Sequence, residues 1–249
     1  MREAALPPQK SQIILPGIAE LNRAGAQEFV EAAQRALGDH HFFAVALSGG
    51  NTPRGVYSLI ANDYRDALPW DKVFIFFGDE RHVPPDHPDS NYRMANETLL
   101  SRVPIPEANV YRIPTELPAE RAAAQYEKQL QEFFRLHDGA WPRFDLILLG
   151  MGDDGHTASL FPGSPALNEE DRLVVANYVD KLQTQRITLT FPVLNHAAEV
   201  LFLIAGASKA EVIRKVLKPG SPQEFPVQRV WLNAGRLVWM LDEAAARLL

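Results

Sequence analysis

Four short runs of this chain are almost wholly apolar: Phe42–Leu47, Val73–Phe77, Phe144–Leu149 (interrupted only by Asp145) and Val200–Ile204. A strand with one face in water alternates polar and apolar residues. These runs do not alternate, so they read as strands buried on both faces. Helical patterns lie between them. Residues 19–37 place Leu21, Phe29, Val30, Ala33 and Leu37 on one side, with Gly38 as the expected stop. Thr52-Pro53 opens a second helix with proline at its favoured first position. Further helices are expected over 90–100, 118–136 and 208–217, the 118–136 helix exposing Glu120, Arg121, Glu127, Lys128 and Glu132. Arg186–Thr190 reads as another strand, and the C-terminal part as strand 226–231, strand 237–241 and helix 242–249. Strands alternating with helices predict an α/β fold, a mainly parallel sheet with helices on both faces.

A length of 249 residues suits one large α/β domain, and no repeat or linker divides it. The proline-rich pieces at 83–88, 104–118 and 219–226 read as loops. A small excursion is expected at about 160–185, where Gly163–Lys181 is polar and irregular enough to be a lid or a surface loop. The net charge of −6 predicts no general attraction to nucleic acid or an anionic membrane, so cations that hold an anionic ligand must be local. With no cysteine, disulfides, thiolate metal sites and cysteine nucleophiles are excluded. Met1–Pro8 lacks a signal-peptide apolar core, and no apolar run nears the roughly 20 residues needed to span a bilayer. A cytoplasmic protein, monomeric or a small homo-oligomer, is the expectation.

Chemistry concentrates where the strands end. Gly150-Met-Gly-Asp-Asp-Gly-His-Thr-Ala-Ser-Leu-Phe-Pro162 follows a buried run and carries Asp153, Asp154 and His156, the side chain suited to proton transfer near neutral pH. Standing alone, it could be a capped turn with an incidental histidine. Three further loops of the same kind favour a ligand site, since open α/β sheets bind ligands at the carboxyl ends of their strands. Ser48-Gly-Gly-Asn-Thr-Pro53 joins a strand to a helix, so the Gly49, Gly50, Asn51 and Thr52 amides offer an anion site; it is not a Walker loop, because the Gly-Lys ending is missing. Gly78-Asp-Glu-Arg81 places Asp79 for a ligand hydroxyl and Arg81 for a carboxylate or phosphate. Asp86–Asn91 contains metal-capable side chains, but Asp89 and Ser90 are explained more simply as helix N-caps, and no metal site is assigned. Arg186 stands at the start of its expected strand. Lys209 stands in a helix's first turn, where its charge opposes the dipole and suggests anion binding. Amide donors, three cations, several carboxylates and one histidine together suit a phosphorylated, hydroxyl-rich small molecule.

These loops resemble the 6-phosphogluconolactonase family, whose members hydrolyse 6-phosphogluconolactone in the oxidative pentose phosphate pathway. The matching segments are Ser48–Pro53, Gly78–Arg81 with Asp89–Asn91, Gly150–Pro162, Arg186–Thr190 and Gly206–Ala210, in the family's order. The Gly155–Pro162 run is the specific one. Asn51 departs from the serine more often found there, a small polar exchange. The resemblance implies a modified Rossmann-like fold shared with glucosamine-6-phosphate deaminase and ribose-5-phosphate isomerase, a phosphorylated sugar lactone as substrate, and no cofactor. It makes His156 the general base, gives the phosphate to Arg186, Lys209 and the Gly49–Thr52 loop, and places Asp79 and Arg81 near the sugar.

A lactone carbonyl requires water, a base for its proton and donors for the developing oxyanion. Asp154 is placed to orient the His156 ring. A helix N-terminus near the loop would keep the imidazole neutral, while Asp154 would act oppositely. A serine acyl-enzyme is disfavoured: Ser159 is within reach in sequence, but no Gly-x-Ser-x-Gly elbow is present. An amino-sugar-phosphate deaminase would carry Asn-Glu-Pro where this chain reads Ser159-Leu-Phe-Pro162. A non-catalytic sugar-phosphate sensor would carry a DNA-binding segment, and no basic helix-turn-helix extension is found.

Overall fold

The computed structural model describes residues 9–218 and 224–249. Met1–Pro8, read above for targeting signals, and residues 219–223 of the last proline-rich loop lie outside the described residues.

Among the described residues the strands are β1 (Gln9–Leu15), β2 (Phe43–Leu47), β3 (Val73–Phe77), β4 (Asp79–Arg81), β5 (Leu146–Leu149), β6 (Val174–Val179), β7 (Thr184–Leu189), β8 (Glu199–Ile204) and β9 (Arg236–Asp242). The helices are α1 (Ile18–His40), α2 (Asn51–Asp63), α3 (Asn91–Thr98), α4 (Ala119–Phe134), α5 (Phe191–Asn195), α6 (Ala210–Leu217) and α7 (Glu243–Ala246). Six strands form one sheet in the order β1-β9-β8-β5-β2-β3, every pair parallel. Three of the apolar runs occupy its interior, where β2, β5 and β8 are buried at every residue, and the fourth forms the edge strand β3. Asp145, the polar residue of its run, precedes β5 and accepts the Ala44 amide at 2.8 Å.

From β2 the chain moves outward to β3, and from β5 it moves the opposite way to β8. The adjacent pair β2–β5 is therefore the topological switch point, where open α/β sheets leave a crevice at their carboxyl ends. Over that end lies a second, antiparallel sheet in the order β4-β7-β6. Gly78 joins the two: its amide donates to Leu47 O at the end of β2, and its carbonyl accepts from Leu189 N at the end of β7, both at 2.9 Å.

Several expectations change here. The stretch read as an irregular excursion holds β6, and Arg186 lies inside β7 in the small sheet rather than at the start of a strand of the main one. β1 was missed because Lys10, Ser11, Gln12 and Ile14 are exposed, so it shows no apolar run. Residues 226–231 are not a strand; Pro226–Arg229 is a short 3-10 turn, with the Gln228 side chain accepting the Phe225 amide at 2.9 Å. α1 runs past Gly38, and His41 takes the left-handed terminal position with φ 72°. Glu127 is not a solvent-facing member of α4: it accepts the Leu173 amide at 2.6 Å and pairs with Arg172.

At the amino ends of β8 and β9, far from the crevice, Glu28 of α1 and Glu199 of β8 are each bridged by Arg35 and by Arg236 at 2.5–2.9 Å. Both carboxylates are buried, with side chains 8% and 5% exposed, so each depends on both arginines. Arg236→Met strands two buried charges on one partner. A loss of about 2 kcal/mol in urea unfolding is expected, below the full value for a buried pair because Arg236 is one-third exposed. Turnover at the crevice should be unchanged.

Candidate active site

The crevice is a cleft of about 390 Å³, walled by the loops after β2 and β5, by β4 and by the start of the β8–α6 connection. Gly49, Gly50, Asn51 and Thr52 line one side, Asp79 and Arg81 another, and His156 and Lys209 a third. Eight of the residues singled out from sequence therefore meet around one space. Arg186 does not line it, but it stands directly across from Arg81 in the β4–β7 pairing.

The β2–α2 loop works through its backbone. No side chain caps α2, whose first residues, Asn51 and Thr52, open onto the cleft. Gly49 is required for packing: a Cβ there would sit 1.8 Å from Asn91 Oδ1. Lys209 Nζ reaches Asp153 Oδ1 at 2.5 Å, and Arg81 Nη1 donates to Asp89 O at 2.6 Å. The Arg186 guanidinium is half-buried beside Arg81, and its Nε has no partner. Burial, followed by the charge of Arg81, pushes its pKa below the usual arginine value. Two crowded guanidiniums with an unused donor form an electropositive wall that an anion would relieve.

His156 Nδ1 lies 2.5 Å from Asp154 Oδ1, and the ring stacks on Phe161 at 4.0 Å between centroids. Burial raises the Asp154 carboxyl, but the hydrogen bond and charge of His156, together with Lys181, outweigh it and hold the pKa at about 2. Asp154 is thus an anion throughout the neutral range. The loop leads into a short 3-10 turn, Pro165–Asn168, and not into the α-helix expected beside His156. The pairing instead depends on Gly152, whose Cβ would lie 2.1 Å from His156 Nδ1 and 2.8 Å from Asp154 Oδ1.

Asp79 lines the cleft but is 7% exposed and already engaged. Its Oδ2 accepts Ser159 Oγ at 2.6 Å, and the Asn91 amide donates to its carbonyl at 2.9 Å and to its Oδ1 at 3.3 Å. Ser159 is consequently bound to Asp79 and not to the histidine. Glu80, the middle of the three charged residues, accepts the Arg81, Asn91 and Tyr92 amides and so fixes the start of α3. Ser90 caps α3 as expected, accepting from Arg93 N, whereas Asp89 does not cap it: its carbonyl accepts from Arg81 and its amide donates to His87 Nδ1. Among the described residues no group of three or more His, Asp or Glu is placed to hold a metal ion. Two residues of the site went unassigned from sequence. Asn91 lay in a resembling segment without a role, and Lys181, whose Nζ donates to Asp154 Oδ2 at 3.2 Å, carried no local signal because β6–β7 pairing brings it there.

The family model for glucosamine-6-phosphate isomerases/6-phosphogluconolactonase matches residues 17–239. The chain belongs to that family. It is 46% identical to a 6-phosphogluconolactonase of Synechocystis over 213 residues, covering 85% of this chain and 86% of the relative. To the human 6-phosphogluconolactonase it is 41% identical over 238 residues, covering 92% and 90%. Among solved structures, 6-phosphogluconolactonase from Trypanosoma cruzi superposes with a TM-score of 0.87 at 32% identity, covering 99% of both chains. A monomeric glucosamine-6-phosphate deaminase reaches a TM-score of 0.78 at 20% identity, covering 96% of this chain and all of its own, which shows the shared fold alone.

Gly152→Ala separates folding from site geometry. The imidazole can swing away from the new methyl, so the protein should fold with near-normal stability, but the His156–Asp154 contact would be lost. A drop of about 100-fold in kcat, at little change in melting temperature, is expected when the paired histidine is displaced from the cleft.

Proposed function

We propose that this chain hydrolyses 6-phosphogluconolactone to 6-phosphogluconate. The observation that carries the reading is the pairing of His156 with Asp154 beside a cleft that also gathers Arg81, Lys209 and the Gly49–Thr52 loop. The names of the relatives, at 41–46% identity over most of the chain, support the same substrate.

Asp154 holds Nδ1–H and leaves the His156 Nε2 lone pair free for the cleft. A water hydrogen-bonded to Nε2 attacks the lactone carbonyl and gives its proton to the imidazole as the C–O bond forms. The carbonyl electron pair moves to oxygen, and the cationic lining stabilises that oxyanion. Collapse expels the ring oxygen, which takes the proton from the imidazolium, leaving an open-chain hydroxy acid and a neutral base. Asp154, ionised and fixed, stabilises the imidazolium between the two transfers. No acyl-enzyme is needed, and Ser159, bound to Asp79 and 2% exposed, is not placed to form one.

The substrate's phosphate suits the Gly49–Thr52 amides and Lys209, with Arg186 adding charge from behind Arg81. Lys209 would exchange its Asp153 partner for the phosphate. Arg81 and Asp79 lie on the sugar side, Asp79 chiefly as the residue that holds the wall. The carboxylate expected in an amino-sugar deaminase is replaced by Ser159 and its apolar neighbours Leu160 and Phe161, which are buried. Among the described residues no helix is long and apolar enough to cross a membrane, and a cytoplasmic site of action fits the substrate.

Acid release from freshly generated lactone, corrected for spontaneous opening, tests the reading. The wild-type chain should accelerate it, and His156→Ala should return the rate to the uncatalysed one while remaining folded. Lys209→Ala should raise KM by about tenfold with a smaller effect on kcat, as expected for lost phosphate binding. A wild-type chain that leaves the lactone untouched while consuming glucosamine 6-phosphate would overturn the assignment.

A further inference from the structure

The consecutive aspartates of the histidine loop diverge. Asp153 turns to Lys209 at the start of α6, and Asp154 turns to His156 and, through its second oxygen, to Lys181 of the β6–β7 turn. We infer that Lys181 is a positioning residue for the base: it locks the carboxylate that orients His156 and offsets part of its charge. This deepens the reading of His156 as general base and rests on it.

Lys181 does not line the cleft, and its side chain is 71% exposed, so direct contact with a bound sugar is not its role. Its backbone, by contrast, is held. The Asp180–Leu182 turn ends at Gln183 in the left-handed conformation, φ 48°. The Gln183 side chain donates to Asp180 O at 2.7 Å and accepts from Tyr178 Oη at 3.1 Å. The turn therefore presents Lys181 at one place, and β7 beyond it carries Arg186.

The geometric consequence concerns Asp154. Its Oδ1 receives both Nδ1 and the backbone amide of His156, the latter at 3.3 Å. With Oδ2 on Lys181 both oxygens have a partner, which favours the carboxylate orientation that faces the ring. The electrostatic consequence concerns the imidazolium. The charged groups around the ring are Asp153 and Lys209 from two loops, Asp79 and Arg81 from β4, and Asp154 and Lys181. Asp153 and Lys209 neutralise each other, Asp79 is bound by Ser159 and Asn91, and Arg81 is held on Asp89 O. What remains is Asp154, which favours the charged ring, and Lys181, which acts on the ring through Asp154 by weakening that pull while it is held on Oδ2. A base must be neutral to work, so Lys181 extends activity toward lower pH.

The test is a cycle of Lys181→Met, Asp154→Asn and the double variant, with Lys181→Arg as the conservative control. The kcat–pH profile for lactone hydrolysis is one readout, and the His156 imidazole titration followed by 15N NMR in the ligand-free protein is the other. Lys181→Met should lower kcat about fivefold with KM held, the pattern of an orienting group that does not touch substrate. It should also move the acid limb and the NMR midpoint up by about 0.3 pH units, the size a mostly exposed pair supports. Asp154→Asn should move both down, Lys181→Arg should restore the wild-type profile, and Lys181→Met should add nothing in the Asp154→Asn background. An unmoved midpoint in Lys181→Met, or the same shift with and without Asp154, would overturn the inference. The NMR arm keeps the two readings separable: absent lactone turnover defeats the proposed function, whereas the midpoints decide the Lys181–Asp154–His156 coupling by themselves.

Discussion

The buried carboxylate of Asp79 holds the site together. Leaving such a group without partners would be costly, so its environment must supply donors, and these come from separate parts of the chain. Ser159 brings the end of the histidine loop to it; Asn91 brings the start of α3. Asn91 then fills the space that the absent Gly49 side chain leaves, so the phosphate-type loop after β2 is set by the same contact. Ser159 in turn donates its amide to Thr188 of β7 and accepts Asn177 of β6 at its carbonyl. One acid thus aligns three cleft walls and the sheet above them.

The parallel sheet explains where this network sits. Its strand order reverses direction between β2 and β5, leaving their carboxyl ends open, and Gly78 folds the small sheet over that opening. The result separates two kinds of charge. At the amino end of the strands, Glu28, Glu199, Arg35 and Arg236 neutralise one another in a closed structural set. At the carboxyl end, Arg81 and Arg186 crowd together, and Lys209 has only an exposed aspartate partner. The facing guanidiniums of Arg81 and Arg186 thus stand beside the cleft, with the carboxylates of Asp79 and Glu80 close by.

Much of the fold was legible because burial on both faces leaves a simple trace. β2, β3, β5 and β8 could be read from uninterrupted apolar residues, and β9 lay within a residue of its expected bounds. Elements without that trace were missed. β1 is half-covered at the sheet edge, β4 is three charged residues, and β6, Val-Val-Ala-Asn-Tyr-Val, is a strand-like run masked by Asn177 and by the polar residues 168–172 before it. The turn at Pro226 was misread because Val227 and Val230, buried by tertiary contacts, imitate a strand.

The site divides in the same way. By itself, the sequence determined that glycine-rich and charged loops follow buried strands, and that His156 and Asp154 lie two residues apart, since those facts are local. Tertiary structure decided which loops share a cleft, that Asp79 holds its walls together, that Arg186 stands behind Arg81, and that Lys181 completes the Asp154 pairing. Each of these joins residues far apart in the chain, and their distances follow from strand order and sheet packing, which local composition does not encode.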